Sequence, residues 1–336
     1  MAPLGSFIAE HAATSRKHGS KTRRFMGNSL RGGPVQEKDA AARPGVASST
    51  APRRTGGGRP ALPAPSTDCG RARRTGQCTP VNTPATGAER LRSAIIDAPS
   101  PALLPFFTAG HPSRDDFHST LSKLADAGDA VEIGVPFSDP MADGVTIQRA
   151  SETALANGVS LDWILRELKA HGDPGAPLVL MSYYNPLLAY GLENLAGRCG
   201  ECHVGGLIVP DLPWEECERI RELFEDHGVG LVQMVTPATP AERMRTLCRG
   251  SGGFVYAVTV TGVTGGERRV SEEMTAYMQR VGECSSLPVC AGFGVRSADQ
   301  VRTLAGVADG VIVGSAVVDC LERGEDAGDF LRSLRT

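Results

Sequence analysis

From about residue 90 onward, apolar runs of strand length alternate with amphipathic helical stretches, and the alternation repeats eight times. The runs are ALLPFFTAG (102–110), AVEIGVP (130–136), PLVLMSYY (177–184), GGLIVPD (205–211), GLVQMVTPA (230–238), GFVYAVTV (253–260), LPVCAGFG (287–294) and ADGVIVGSAVV (308–318). Helical spacing is clearest at 115–128 and 214–228. In the second of these, Cys217, Ile220, Phe224 and His227 share one face and charges take the other. His227, near the helix end, reads as a cap. Strands separated by helices must pair in parallel, because each crossover has to return the chain to the end where it began. Eight such units close most economically as a (β/α)8 barrel. An open doubly wound sheet would want a G-x-G-x-x-G turn after its first strand, and this strand ends in TAGHP (108–112). The α/β barrel is the expected fold.

What precedes residue 90 is of a different kind. Residues 1–89 carry 14 Lys/Arg against 5 Asp/Glu, leaving 21 against 33 for the remainder. Rich in Ala, Gly, Pro, Ser and Thr and nearly free of aromatics, this basic segment cannot bury enough apolar surface to offset chain entropy. The expected division is a disordered extension at 1–89 and a catalytic barrel at 90–336. The extension resembles a transit peptide, and equally a low-complexity tail or an over-extended reading frame. A cytoplasmic location is expected, with a plastid as the alternative if 1–89 is a targeting segment. An acidic globule is a poor partner for nucleic acid, and no run of about 18 apolar residues offers a membrane span.

Nine cysteines are scattered without a disulfide-like framework, as expected of reduced thiols. Cys199-Gly-Glu-Cys202-His203 matches C-x-x-C-H, but haem attachment usually needs export, and zinc would need two further ligands that are not evident. The pair reads as helix-end packing, and no metal site is expected.

The chemistry concentrates at VEIGVPFSDPMADG (131–144). Val131, Ile133 and Val135 mark a buried strand, yet Glu132 sits within it, and the loop beyond carries Asp139 and Asp143. A buried charge costs several kcal/mol unless paired, neutralised or turned to a polar cavity. Between Arg114 and Arg149 the only Lys or Arg is Lys123, in the preceding helix, so no local cation is at hand. In a barrel, catalytic groups come from the C-terminal ends of strands and the loops after them. Two carboxylates at one mouth can have their pKa values pushed apart. Glu132 would then serve as proton shuttle and Asp143 as the fixed anion. The seventh and eighth runs end in glycines, Gly292-Phe-Gly294 and Gly314-Ser315, which suits backbone capture of a phosphate. Strand six runs into TGVTGGERR (261–269), a loop long enough to close over a ligand. A phosphorylated small substrate and proton transfer follow; on the fold alone, a sugar-phosphate isomerase stays open.

VEIGVPFSDPMADGVTIQRASETAL, VPDLP (209–213), VTGVTG (260–265), AGFGV and DGVIVGSAVV together resemble the tryptophan synthase alpha subunit family, over about residues 100–320. The resemblance implies cleavage of indole-3-glycerol phosphate into indole and glyceraldehyde 3-phosphate, with indole passed to a beta subunit. It implies Glu132 as general acid/base and Asp143 as the anion at the indole N–H. Tyr256 would lie beside Glu132, Phe107 would pack on the indole, and Thr264 would meet Asp143 on closure. Gly265, Gly294, Gly314 and Ser315 would hold the phosphate. The loop at Asp139–Pro140 would face the beta subunit in an alpha2beta2 assembly. Pyridoxal phosphate belongs to that partner, and this chain would carry no cofactor. A free-standing lyase and a non-catalytic phosphate-binding relative are the alternatives. His111 stands where the family often has Asp, Val145 where it often has Pro, and the lid stretch Thr259-Val260-Thr261 lacks an Arg that some members carry. The stretch after the eighth strand is short enough to curtail the last helix.

Overall fold

The computed structural model describes residues 85–99, 101–259, 272–292 and 294–335. The expectations for 1–84, and those for Thr264 and Gly265, lie outside the described residues. Eight parallel strands close a barrel in sequence order: β1 (Ala102–Thr108), β2 (Val131–Gly134), β3 (Leu178–Met181), β4 (Val204–Ile208), β5 (Gly230–Val235), β6 (Val255–Val258), β7 (Val289–Gly292) and β8 (Gly310–Val313). Around them lie α1 (Gly87–Asp97), α2 (Phe117–Ala127), α3 (Val145–Ala156), α4 (Leu161–His171), α5 (Tyr184–Tyr190) and α6 (Leu192–Glu201). The second half adds α7 (Glu218–Glu225), α8 (Ala241–Arg249), α9 (Glu272–Cys284), α10 (Ala298–Leu304), α11 (Ser315–Glu322) and α12 (Ala327–Leu334). The (β/α)8 barrel read from the alternation is the fold.

Helix α1 straddles the expected domain limit at 89–90. Thr86 and Glu89 form a reciprocal capping box, the Glu89 N–H donating to Thr86 Oγ1 at 3.2 Å and the Thr86 N–H to Glu89 Oε2 at 2.8 Å. Leu91 and Ile95, one turn apart, are fully buried and pack with Ala102, Leu104 and Phe254. The Ala88 N–H donates to Gly228 O just ahead of β5. Helix α1 therefore seals the barrel at the ends where strands begin, leaving the opposite end as the mouth.

Each strand shares its side chains between two cores. Leu104, Val179, Ile208, Val232, Tyr256 and Ile312 fill the barrel, while Leu103, Ile133, Leu180, Leu207, Ala257 and Val311 pack outward under the helices. That is the period of two along a strand buried on both faces.

Several apolar runs overshoot their strands. The run at 308–318 yields only Gly310–Val313, and Ser315 already begins α11, where Val317 and Val318 are buried as helix residues. A short continuous apolar run has no periodicity to separate strand from buried helix. The run at 177–184 likewise gives Leu178–Met181, and Tyr184 opens α5. The stretch at 214–228 divides into a 3-10 turn at Trp214–Glu216 and α7. His227 does cap: its Nδ1 lies 2.9 Å from the Leu223 carbonyl oxygen, which it meets as donor. Beyond β8, the chain makes two eight-residue helices, α11 and α12, rather than one long one.

The C-x-x-C-H stretch ends α6. Cys199 and Cys202 are buried in the outer core, and Cys202 Sγ donates to the Leu165 carbonyl at 3.2 Å. Burial pushes both thiols up, which is packing chemistry rather than nucleophile chemistry. Among the described residues, no group of three or more His, Cys, Asp or Glu is arranged to hold a metal. No described helix is long and apolar enough to cross a membrane.

Candidate active site

Glu132 stands in the middle of the barrel, opposite Phe106 on β1 and Val179 on β3 in the strand register. It is 2% exposed, and its Oε2 accepts no hydrogen bond among the described residues. Desolvation, and then the nearby Asp143 charge, push its pKa up to about 8. At neutral pH the side chain is therefore the uncharged acid, which resolves the cost of a carboxylate in an apolar strand.

Asp143 ends the loop that follows β2. Burial raises its pKa to about 6, and a hydrogen bond from Tyr183 works against that rise. The loop is held from two sides. The Ala142 N–H donates to the Tyr183 hydroxyl at 2.8 Å, and Phe137 stacks on the Tyr183 ring with centroids 5.2 Å apart. Gln148, from the first turn of α3, donates through Nε2 to the Asp143 carbonyl at 2.8 Å. A cavity of about 10 Å³ lies between Asp143, Tyr183, Thr108, Phe106 and Met181. Room of that size admits about one water.

Tyr256, on β6, is buried facing Glu132, and desolvation followed by the Glu132 charge raises its phenol well above the ordinary range. Its ring fits because Gly292 on β7 has no side chain. A Cβ there would lie 2.3 Å from the Tyr256 hydroxyl oxygen. Gly134 does the same for Phe106, whose ring would be 2.5 Å from an added Cβ. Gly292→Ala is therefore expected to displace the Tyr256 ring and to lower unfolding stability by about 1–3 kcal/mol, which urea unfolding measures.

Phe107, expected to pack on the indole, lies on the outward face of β1. Phe107 is 0% exposed in the outer core, 5.8 Å from the Phe117 ring of α2. It cannot touch a molecule in the mouth. Phe106, one residue earlier and so on the other face of the strand, lines the cavity beside Asp143.

Gly294 and Gly314 follow β7 and β8 at the mouth, half-buried, and Ser315 is the first residue of α11. Gly314 sits against Phe106, an added Cβ falling 3.6 Å from its ring. The two glycine turns are tied together by Arg296, which meets Asp319 of α11 at 2.7 Å. Arg149 of α3 pairs with Glu322 of the same helix at 2.6 Å. His111, at the position where Asp was expected, is buried 3.6 Å from Glu322, and desolvation lowers its pKa. Asp139 is exposed and Pro140 half-buried on the outer rim, where Met141 is 67% and Val145 76% exposed.

The structure thus brings Glu132, Asp143 and Tyr256 together, with Gly294, Gly314 and Ser315 around the same opening. Phe106, Tyr183 and Gln148 join them without having been singled out in the sequence. Tyr183 had one available signal, its place just beyond the C-terminal end of a strand.

Comparison with known proteins gives a consistent result. The family model described as tryptophan synthase alpha chain matches residues 94–333. The tryptophan synthase alpha chain of Roseiflexus castenholzii is 43% identical over 243 residues, covering 70% of this chain and 93% of that protein. That of Bacillus cereus (strain AH820) is 40% identical over 253 residues, covering 74% and 98%. Among solved structures, tryptophan synthase subunit alpha from Legionella pneumophila superposes with a TM-score of 0.67 at 31% identity, covering 74% of this chain and 97% of that one. A tryptophan synthase chain from M. tuberculosis gives 0.67 at 32%, with the same coverage. With the family model and relatives of this identity spanning the whole barrel, the chain belongs to the tryptophan synthase alpha chain family.

Proposed function

We propose that Glu132 and Asp143 divide between them the carbon–carbon lyase reaction of this family, the cleavage of indole-3-glycerol phosphate into indole and glyceraldehyde 3-phosphate. Glu132 begins as the neutral acid and donates its proton to the indole ring carbon that bears the glycerol chain. The ring nitrogen then carries positive charge, and the Asp143 carboxylate stabilises it through the indole N–H. The bond between the ring carbon and the glycerol carbon breaks, and its electrons restore the aromatic ring. The hydroxyl on that glycerol carbon becomes the aldehyde and returns its proton to the Glu132 carboxylate. The acid is regenerated, and no net proton is consumed.

The observation that carries this reading is a buried acid with an open oxygen, facing a half-buried carboxylate at one barrel mouth. Phe106 and Tyr256 supply apolar walls for the indole. The phosphate goes to the turns at Gly294 and Gly314, with Ser315 and the first N–H groups of α11; by resemblance Gly265 completes that set and Thr264 meets Asp143 on closure. The rim at Asp139–Pro140, with Met141 and Val145, faces a beta subunit in an alpha2beta2 assembly. That subunit holds pyridoxal phosphate, this chain works without a cofactor of its own, and both act in the cytoplasm.

The deciding assay is indole release from indole-3-glycerol phosphate by the full chain, with and without a beta subunit. Slow release strongly raised by the partner supports the reading. Fast release indifferent to the partner makes the chain a free-standing lyase, and no release in either case overturns the assignment. The pH profile of kcat/KM tests the division of roles. Asp143 must be ionised, so activity falls below about 6. Glu132 must be protonated, so it falls again above about 8. A bell between these limits, belonging to the coupled pair, is expected; a profile rising through pH 9 would remove Glu132 as the acid.

A further inference from the structure

We propose that the ion pair between Arg149 and Glu322 is a strut that sets α11, and with it the turn at Gly314 and Ser315, against the helix that follows Asp143. The proposal rests on the reading of that turn as the phosphate site, and it makes Arg149 a positioning residue. Arg149 lies on α3 just beyond Asp143, and Glu322 closes α11, whose first residue is Ser315. The apolar layer between these two helices is thin. It consists of Phe106 from β1, Ala150 from α3 and Val318 from α11, with Ile147 and Met181 at its edge. Phe106 and Ile147 also line the cavity beside Asp143. A shift of α11 on α3 would therefore move a wall of the pocket and the phosphate turn together.

The polar closure of that layer is a fork rather than a point contact. Arg149 donates through Nε to Glu322 Oε1 at 3.0 Å and through Nη2 to Oε2 at 2.6 Å. Two parallel bonds fix orientation as well as distance. The same guanidinium lies 3.9 Å from Asp319, one turn earlier on α11, which Arg296 holds at 2.7 Å. Arg296 in turn belongs to the Gly294 turn. Its N–H donates to Gln300 Oε1 at 2.7 Å, and Gln300 Nε2 donates to the Gly294 carbonyl at 3.4 Å. Two cations thus alternate with two carboxylates across α3, α11 and the turn after β7. An isolated exposed pair contributes little, but a forked pair within a network holds its geometry. The other neighbour of Glu322, His111, stands 3.6 Å off, and neither of its ring nitrogens is hydrogen-bonded among the described residues. The Arg149 fork is therefore what commits Glu322 to α3.

The loop of Asp143 is gripped separately by Gln148 and Tyr183, so loss of the strut should be felt at the phosphate end. The phosphate is remote from the bonds that change, and a weaker hold on it raises KM while sparing kcat. The experiment takes the full chain as wild type, Arg149→Met, Glu322→Leu and the double variant. KM and kcat for indole release, the Kd of inorganic phosphate by phosphorus NMR, and the melting temperature are measured on each. The expected result is a KM and a phosphate Kd raised about fivefold in each single variant, with kcat within about twofold of wild type. The melting temperature should stay within a few degrees, because both side chains lie at the surface edge of the layer. The double variant should be no worse than either single one, since a single interaction is lost once. Unchanged KM and phosphate Kd overturn the strut, and so do effects that multiply in the double variant or fall on kcat together with a lowered melting temperature. A wild-type chain that neither releases indole nor binds phosphate overturns the functional reading instead.

Discussion

Glu132→Gln should reduce indole release by on the order of 10³-fold while leaving the barrel folded, because the amide fills the same space but has no proton to lend. The loss should fall on kcat, since the carbon to be protonated is a demand of the transition state and not of the bound substrate. Stability gives an independent signature. The folded pKa of Glu132 is raised to about 8 from an ordinary value of 4.5. The folded state therefore binds the proton more tightly than the unfolded chain does. Stability from this group is fully present below about 4.5 and is lost as pH rises towards about 8. Glutamine cannot ionise, so the variant should match the wild type in acid and exceed it increasingly between those limits, by on the order of a few kcal/mol at the alkaline end. Urea unfolding at pH 5 and pH 8 measures the difference. Equal stability at both would mean that Glu132 is not a desolvated acid, and near-normal turnover would take it out of the reaction.

Asp143→Asn carries the second large effect. The amide oxygen can still accept the indole N–H, so the substitution removes charge and little else. Loss of a preorganised electrostatic partner costs on the order of 10²-fold, about 3 kcal/mol, in the transition state. Substrate binding should weaken far less than kcat. The acid limb of the pH profile should vanish with the group responsible for it, while the alkaline limb moves down, because the neighbouring negative charge that helps raise Glu132 is gone. Unchanged kinetics would remove Asp143 from the site, and an acid limb that persists would assign it to another group.

The barrel was legible because its evidence is repeated, eight apolar runs with helices between, and no single run had to be read correctly. Where each strand stops was not legible. At Gly310–Val318 the same valine-rich stretch serves first as strand and then as buried helix, and composition does not mark the change at Gly314. Glu132 was legible because a charge in an apolar strand without a local cation demands explanation. The phenylalanines of β1 turned on parity: a shift of one residue exchanges the two faces of a strand. The pairing of Phe106 with Glu132 fixes the parity, but only once the sheet exists. Tyr183 depends on a fold-back that no local pattern announces, for its hydroxyl meets an N–H 41 residues away in the chain.

The missing side chains at Gly292 and Gly134 also bear on how such a mouth can drift in sequence. Each glycine's empty volume is already filled by a ring on the neighbouring strand, Tyr256 in one case and Phe106 in the other. Positions 256 and 292 thus share one allotment of space, as do 106 and 134. Growth at either glycine is compatible with an intact barrel only alongside shrinkage at its aromatic. The unit of variation here is the pair, so substitutions that fail singly can survive together, and the pocket's shape can be remodelled without disturbing the strand that carries Glu132.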